Sequence, residues 1–173
     1  MLGLSRGEVV VVPYSPDWPV LFQKEAESLR TALGDQAVAV EHIGSTAVPG
    51  LAAKPILDVM VAAPSMGTAR ALVDAVERLD YTHRANGDAA DRVYFAKGRP
   101  ARRTHHLSLT AVGSEFWRAH LAFRDLLRED PDVARAYEDL KRTLAAAHPD
   151  DRGAYTDGKA AFVAAALRRT GGR

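Results

Sequence analysis

Four residues offer the chain a centre for chemistry: Gly44, Ser45, Thr46 and Asp58. They lie in residues 38–62, VAVEHIGSTAVPGLAAKPILDVMVA, an apolar run that breaks at Gly44-Ser45-Thr46, turns through Pro49-Gly50 and resumes as a second apolar run. Small hydroxyl residues between two glycines suit an anion held by backbone amides. Asp58 is a lone carboxylate inside the second run, a costly placement unless it is paired or bound to metal. A magnesium ion would join the two features, because it takes carboxylates together with phosphate oxygens. The residues therefore point to a phosphorylated ligand on the loop and a metal on Asp58. The plain alternative is an ordinary turn and a buried, hydrogen-bonded aspartate.

Further along, residues 92–114 hold no acid but carry Arg92, Lys97, Arg99, Arg102 and Arg103, with His105 and His106. Such a local positive field attracts phosphates or acidic partners, although a solvated basic loop would read the same. Alternation places His105, Leu107 and Leu109 on one strand face, toward the core, and His106 and Ser108 on the other, toward a cleft. Lys54, between the loop and Asp58, could screen a bound phosphate or pair with an acid. His42 reads as a satisfied structural histidine. His120, Arg124 and Arg128 could reach a cleft from a helix. Tyr155 and Lys159, four apart on the last helix, could close over a substrate, with an exposed surface pair as the default.

The elements that must position these groups follow from periodicity and punctuation. Residues 8–12, EVVVV, are β-branched and predict a strand ended by Pro13. Ser15-Pro16-Asp17 predicts an N-cap and first turn, opening a helix that runs to Leu33 and stops at Gly34. The central stretch predicts strand, loop, strand. Pro64-Ser65 opens a helix through Leu79, residues 81–83 form a short strand, and residues 84–91 a loop. Residues 93–96 and 104–110 form a hairpin across Lys97-Gly98-Arg99-Pro100. Ser114 caps a helix to Glu129, Pro131 opens another to His148, and Asp150 opens the last, to Arg169, leaving residues 170–173 as a frayed tail. This pattern is α+β, a mixed β-sheet with flanking helices and a C-terminal helical cap.

With 173 residues and no linker or repeat, one domain spanning 1–173 is expected. A net charge of +1 gives no sequence-wide reason to expect nucleic acid as a partner, and the absence of cysteine removes disulfides and thiolate metal sites. No signal peptide is apparent at the start, and no apolar run reaches the roughly 20 residues of a membrane span, so a cytoplasmic protein is expected. The Walker loop, the dinucleotide-binding glycine motif, the nucleophile elbow and zinc spacings are all missing.

The run 41–58, EHIGSTAVPGLAAKPILD, closely resembles the GrpB family, and so do Thr104-His-His-Leu107, residues 120–128 (HLAFRDLLR) and Tyr155 with Lys159 and Phe162. The resemblance spans nearly the whole chain, with several motifs in the family's order. It extends to a domain fused behind dephospho-CoA kinase in some bacteria, described there as a folding accessory; the kinase's phosphate loop is absent here. The resemblance implies a DNA polymerase β-like nucleotidyltransferase fold, in which a Gly-Ser turn and a strand bearing acid-x-acid hold metal ions against a nucleotide. Gly44, Ser45 and Asp58 match that pattern, whereas Met60 stands where the second acid would be. The family's later His-x-His reads His106-Leu107-Ser108 here. What the resemblance implies is a nucleotidyltransferase-like protein binding a nucleotide or another phosphorylated small molecule with Mg2+ or Mn2+. Asp58 and His106 would be metal-binding and catalytic, and Gly44, Ser45, Thr46, Lys54, Arg103 and Lys159 would bind substrate. The alternative is a non-catalytic binding or folding-accessory module that keeps the fold.

Overall fold

Two parallel strands form the middle of the molecule, and every predicted site residue is placed relative to them. A computed structural model describes residues 2–170. The first helix, α1 (Asp17–Leu33), precedes β1 (Ala39–Ile43), a 3-10 turn at Ser45–Ala47, and β2 (Leu57–Ala63). Next come α2 (Met66–Ala71), α3 (Val73–Glu77), β3 (Tyr81–His83), β4 (Val93–Lys97) and β5 (His105–Ala111). Four helices follow among the described residues: α4 (Glu115–Glu129), α5 (Pro131–Ala147), α6 (Arg152–Asp157) and α7 (Ala160–Thr170). The strands form one mixed sheet in the order β1-β2-β5-β4-β3. Only β2 and β5 run parallel, with Asp58 level with His106.

Period-2 alternation divides the sheet into a core face and a cleft face. Leu57, Val59, Val61, Leu107, Leu109 and Phe95 pack against Trp18, Phe22, Ala26 and Leu29 of α1 and against Ala69 and Val76 of α2 and α3. The opposite face carries Asp58, His106, Ser108 and Tyr94, and the C-terminal helices close over it. A second apolar cluster joins that cap to the loop after β1: Val48 and Leu51 pack on Leu127, Val133 and Tyr137. Local caps behave as their chemistry dictates. Ser114 accepts from the Trp117 amide, and Asp130 accepts from the Asp132 and Val133 amides beside Pro131.

Several expectations need correction. Residues 8–12 do not form a strand of the sheet. The Val9 amide donates to the Pro149 carbonyl, and only Val12 bridges, exchanging both backbone hydrogen bonds with Ala53. The segment crosses the molecule instead of lying along an edge, so β-branched propensity finds no continuous partner. The helix after Ser65 breaks at Leu72, where an amide turns back three residues to Ala69. The last helix breaks at Gly158, which sits against Leu144: a Cβ there would lie 2.5 Å from Leu144 Cδ2. Asp151, not Asp150, caps it. Ser15 accepts from the Asp17 amide at 3.3 Å, with Pro16 at the cap position. Of the expected frayed tail, α7 continues through Thr170, and residues 171–173 lie outside the described residues. Among the described residues no helix is long and apolar enough to cross a membrane.

Candidate phosphate-binding site

Asp58 and His106 meet across the two parallel strands. His106 Nδ1 lies 3.1 Å from Asp58 Oδ1, and both side chains line a cavity of about 630 Å³ together with Gly44, Ser45, Thr46, Lys54, Arg103 and Lys159. All eight residues to which the resemblance gave site roles therefore reach one cavity.

Gly44 is required by this arrangement. Its φ of +69° is in the left-handed region, and a Cβ would stand 2.5 Å from Asp58 Oδ2. The turn that follows leaves the Ser45 and Thr46 amides without an acceptor among the described residues, while Ala47 and Val48 bond back to Gly44 and Ser45. The turn is braced from behind. Arg128 donates to the Ala47 carbonyl at 2.8 and 3.0 Å, and Arg124 donates to the His42 carbonyl at 3.2 Å while pairing with Glu41. On α5, Glu138 accepts from the Ala52 amide and Lys141 donates to the Ala52 carbonyl, so two side chains do for Ala52 what a neighbouring strand would do. His42 stacks on Phe22 and lies 2.9 Å from Thr46 Oγ1, the structural role expected of it.

Charge is the dominant property of the cavity. Among the described residues Asp58 is its only carboxylate, facing Arg6, Arg84, Arg92, Arg103 and Arg152 with Lys54 and Lys159. None of these seven cations forms a salt bridge with an acid among the described residues. Burial opposes ionisation of Asp58, but the His106 hydrogen bond and the nearby positive charge of Lys54 and Lys159 hold its carboxyl below the usual carboxylate value. Burial lowers His106 against the pull of Asp58, which favours a neutral ring near pH 7. In that state Nδ1–H donates to Asp58 and Nε2 keeps its lone pair. The Asp58 side chain is 39% exposed, open to the cavity, whereas Met60, one alternation further on, is fully buried.

Two plain alternatives about surface charge fail here. Arg103 is only 6% exposed; its backbone exchanges hydrogen bonds with Leu4 and its guanidinium donates to the Gly98 carbonyl. The basic hairpin is thus not simply solvated; Arg99 and Arg102 are its exposed basic members, and Arg102 donates to the Leu2 carbonyl. Tyr155 and Lys159 are not a surface pair either. Tyr155 is 1% exposed, with Lys159 Nζ 4.4 Å and Lys54 Nζ 4.9 Å from its ring centroid. His120 reaches the cavity, stacked on Phe116, while Arg124 and Arg128 serve the backbone. Arg6, Arg84 and Arg152 were not foreseen. They come from the N-terminal crossing segment, the loop after β3 and the start of α6, and no local motif links such distant positions.

Residues 8–169 match the family model described as GrpB protein. A UPF0157 protein of Pseudomonas aeruginosa is 42% identical over 164 residues, covering 93% of this chain and 67% of that protein. The crystal structure of conserved protein GrpB from Enterococcus faecalis superposes with a TM-score of 0.84 at 38% identity, covering 92% of this chain and 96% of that one. A dephospho-CoA kinase of Mycolicibacterium paratuberculosis is 31% identical over 197 residues; the match covers 96% of this chain but 47% of the kinase. Cid1 in complex with its short product ApU aligns over 79% of this chain and 43% of its own, with a TM-score of 0.51 and 14% identity, a likeness of fold alone.

Proposed function

The chain belongs to the GrpB family, and from that premise we propose that its cavity binds a nucleotide or another phosphorylated small molecule together with a divalent cation. One observation carries the proposal: among the described residues, seven basic side chains without salt-bridge partners surround a single carboxylate beside a turn with two amides that have no acceptor. Cations gathered without counterions repel one another, and an anionic ligand relieves that repulsion. Phosphate oxygens would rest on the Gly44-Ser45-Thr46 turn, with Lys54, Arg103 and Lys159 supplying charge. Among the described residues no three His, Asp or Glu side chains converge on one point, so a closed metal cage does not fit. The open Asp58 carboxylate does fit a Mg2+ or Mn2+ ion that shares its coordination with ligand phosphates and water, with His106 holding the carboxylate from the side through Nδ1–H. Such an ion would neutralise phosphate charge. His106 meanwhile orients Asp58 and offers Nε2 to accept a proton from an acceptor hydroxyl, the role it would have in nucleotidyl transfer.

A second reading, a binding module without turnover, is favoured by Met60. A fully buried methionine at the level of the expected second acid leaves a two-ion arrangement without its bridging carboxylate. Thermal denaturation with a panel of nucleotides and phosphorylated metabolites, with and without Mg2+ or Mn2+, tests the shared core of both readings. A metal-dependent stabilisation that Asp58→Asn removes is expected. No shift with any member of the panel would defeat both. Pyrophosphate release separates them, being expected of a transferase and not of a module.

A further inference from the structure

Resting on the phosphate-binding reading, we infer that Lys54 is a nucleophilic amine that forms a reversible imine with a phosphorylated aldehyde or ketone held in this cavity. Its surroundings, shared with Lys159, set it apart from the three other lysines of the chain. Lys24 is exposed, Lys97 is bound to Glu25 at 2.9 Å, and Lys141 is buried with its ammonium on the Ala52 carbonyl. Lys54 and Lys159 line the cavity, half-buried, with no hydrogen bond or ion pair to hold either ammonium among the described residues, and they share the face-on attraction of one ring, that of Tyr155. The cationic neighbours Lys159 and Arg152 disfavour a second charge on Lys54, and Asp58 only partly offsets them. Burial and these neighbours lower the Lys54 ammonium to about 8. At pH 7 this gives about 300 times more free amine than an ordinary lysine holds. Desolvation next to another cation is a recognised route to an activated lysine.

The chemistry balances without any co-reactant. The Nζ lone pair attacks the carbonyl carbon, a C–N bond forms, and the carbonyl oxygen takes up a proton to give a carbinolamine. Loss of one water then yields the imine, and hydrolysis reverses the sequence. Nothing is oxidised or reduced. Arginines around the phosphate would bring the carbonyl group to the amine, so the ligand class is a phosphorylated carbonyl compound rather than a phosphate ester alone.

Pyridoxal 5′-phosphate, which carries an aldehyde and a phosphate on one small ring, is the probe. The protein is incubated with it, reduced with borohydride and mapped by peptide mass spectrometry, with unphosphorylated pyridoxal in a parallel arm. Trapping on Lys54 at least about tenfold above Lys24, slowed by pyrophosphate and absent in Lys54→Arg with an unchanged circular-dichroism spectrum, is the expected result. Equal labelling of Lys54 and Lys24 would overturn the inference, as would an adduct confined to Lys159. If pyrophosphate and nucleotides stabilise the protein yet no Lys54 adduct is trapped, the inference fails while the phosphate site stands. If pyridoxal labels Lys54 as fast as its phosphate does and pyrophosphate does not compete, the amine is reactive and the phosphate site fails.

Discussion

At the scale of single residues, the Asp58 carboxylate and the Gly44 backbone depend on each other. Gly44→Ala would place a methyl group against Asp58 Oδ2 at a left-handed φ, so a loss of about 1–3 kcal/mol in urea unfolding is expected, together with weaker ligand-induced stabilisation. Asp58→Asn keeps an oxygen for His106 but removes the charge. Because the folded carboxyl lies below its unfolded value, its charge stabilises the fold above the ordinary carboxylate range and stops doing so as pH falls through the folded value. The variant should therefore melt below wild type at neutral pH, with the difference closing in acid, and it should lose the metal-dependent part of any ligand shift. Histidine gives a second pH signature. Burial lowers His42 and His105 from 6.5 to about 4 each, so the unfolded chain binds more protons between those values. Stability should be steady above pH 6.5, fall as pH drops toward 4, and then level off with respect to these groups. A urea midpoint series should show this, and His42→Gln should remove roughly one proton from the slope.

At the scale of elements, the helical cap matters because it holds the backbone of the loop between β1 and β2. Arg128→Ala would strip the donors from the buried Ala47 carbonyl, and a loss of about 1–2 kcal/mol is expected in denaturant unfolding, with ligand affinity falling as well. The hairpin offers a paired comparison. Arg103→Glu buries a carboxylate in the place of a hydrogen-bonded guanidinium and should destabilise the fold, whereas Arg102→Glu should leave the melting temperature nearly unchanged. Much of this architecture was legible in the sequence. Strand alternation at residues 105–109 assigned faces correctly because it is a local, period-2 property. Ser114 and Asp130 are caps for reasons contained within three residues of each. The illegible parts depend on distant partners. EVVVV has strand composition, but Pro149 and Ala53 are what it meets. Tyr155 and Lys159 have an ordinary surface spacing, and only the docking of α6 against the cleft turns them inward. The clustering of Arg6, Arg84 and Arg152 is a product of topology that no window of sequence contains.

At the scale of the whole molecule, the near-zero net charge conceals a strongly positive cavity. Ligand binding should weaken steadily with added salt, the response expected when screened charges supply the attraction. A ligand at 100 times its dissociation constant should stabilise the fold by about 2.7 kcal/mol, readable as a melting shift that shrinks across a salt series. The cavity wall also draws on both ends of the described chain: Arg6 precedes α1, while Arg152, Tyr155 and Lys159 follow α5. Synthesis runs from the first of these groups to the last. A nascent chain can complete its five-stranded sheet, and the Asp58–His106 pair with it, while residues 152–159 are still inside the ribosome. If the cavity binds the proposed ligand, that ligand would act only on chains whose translation has passed Lys159. On the proposed phosphate-binding reading, chains truncated before Arg152 should be left to proteolysis at any ligand concentration.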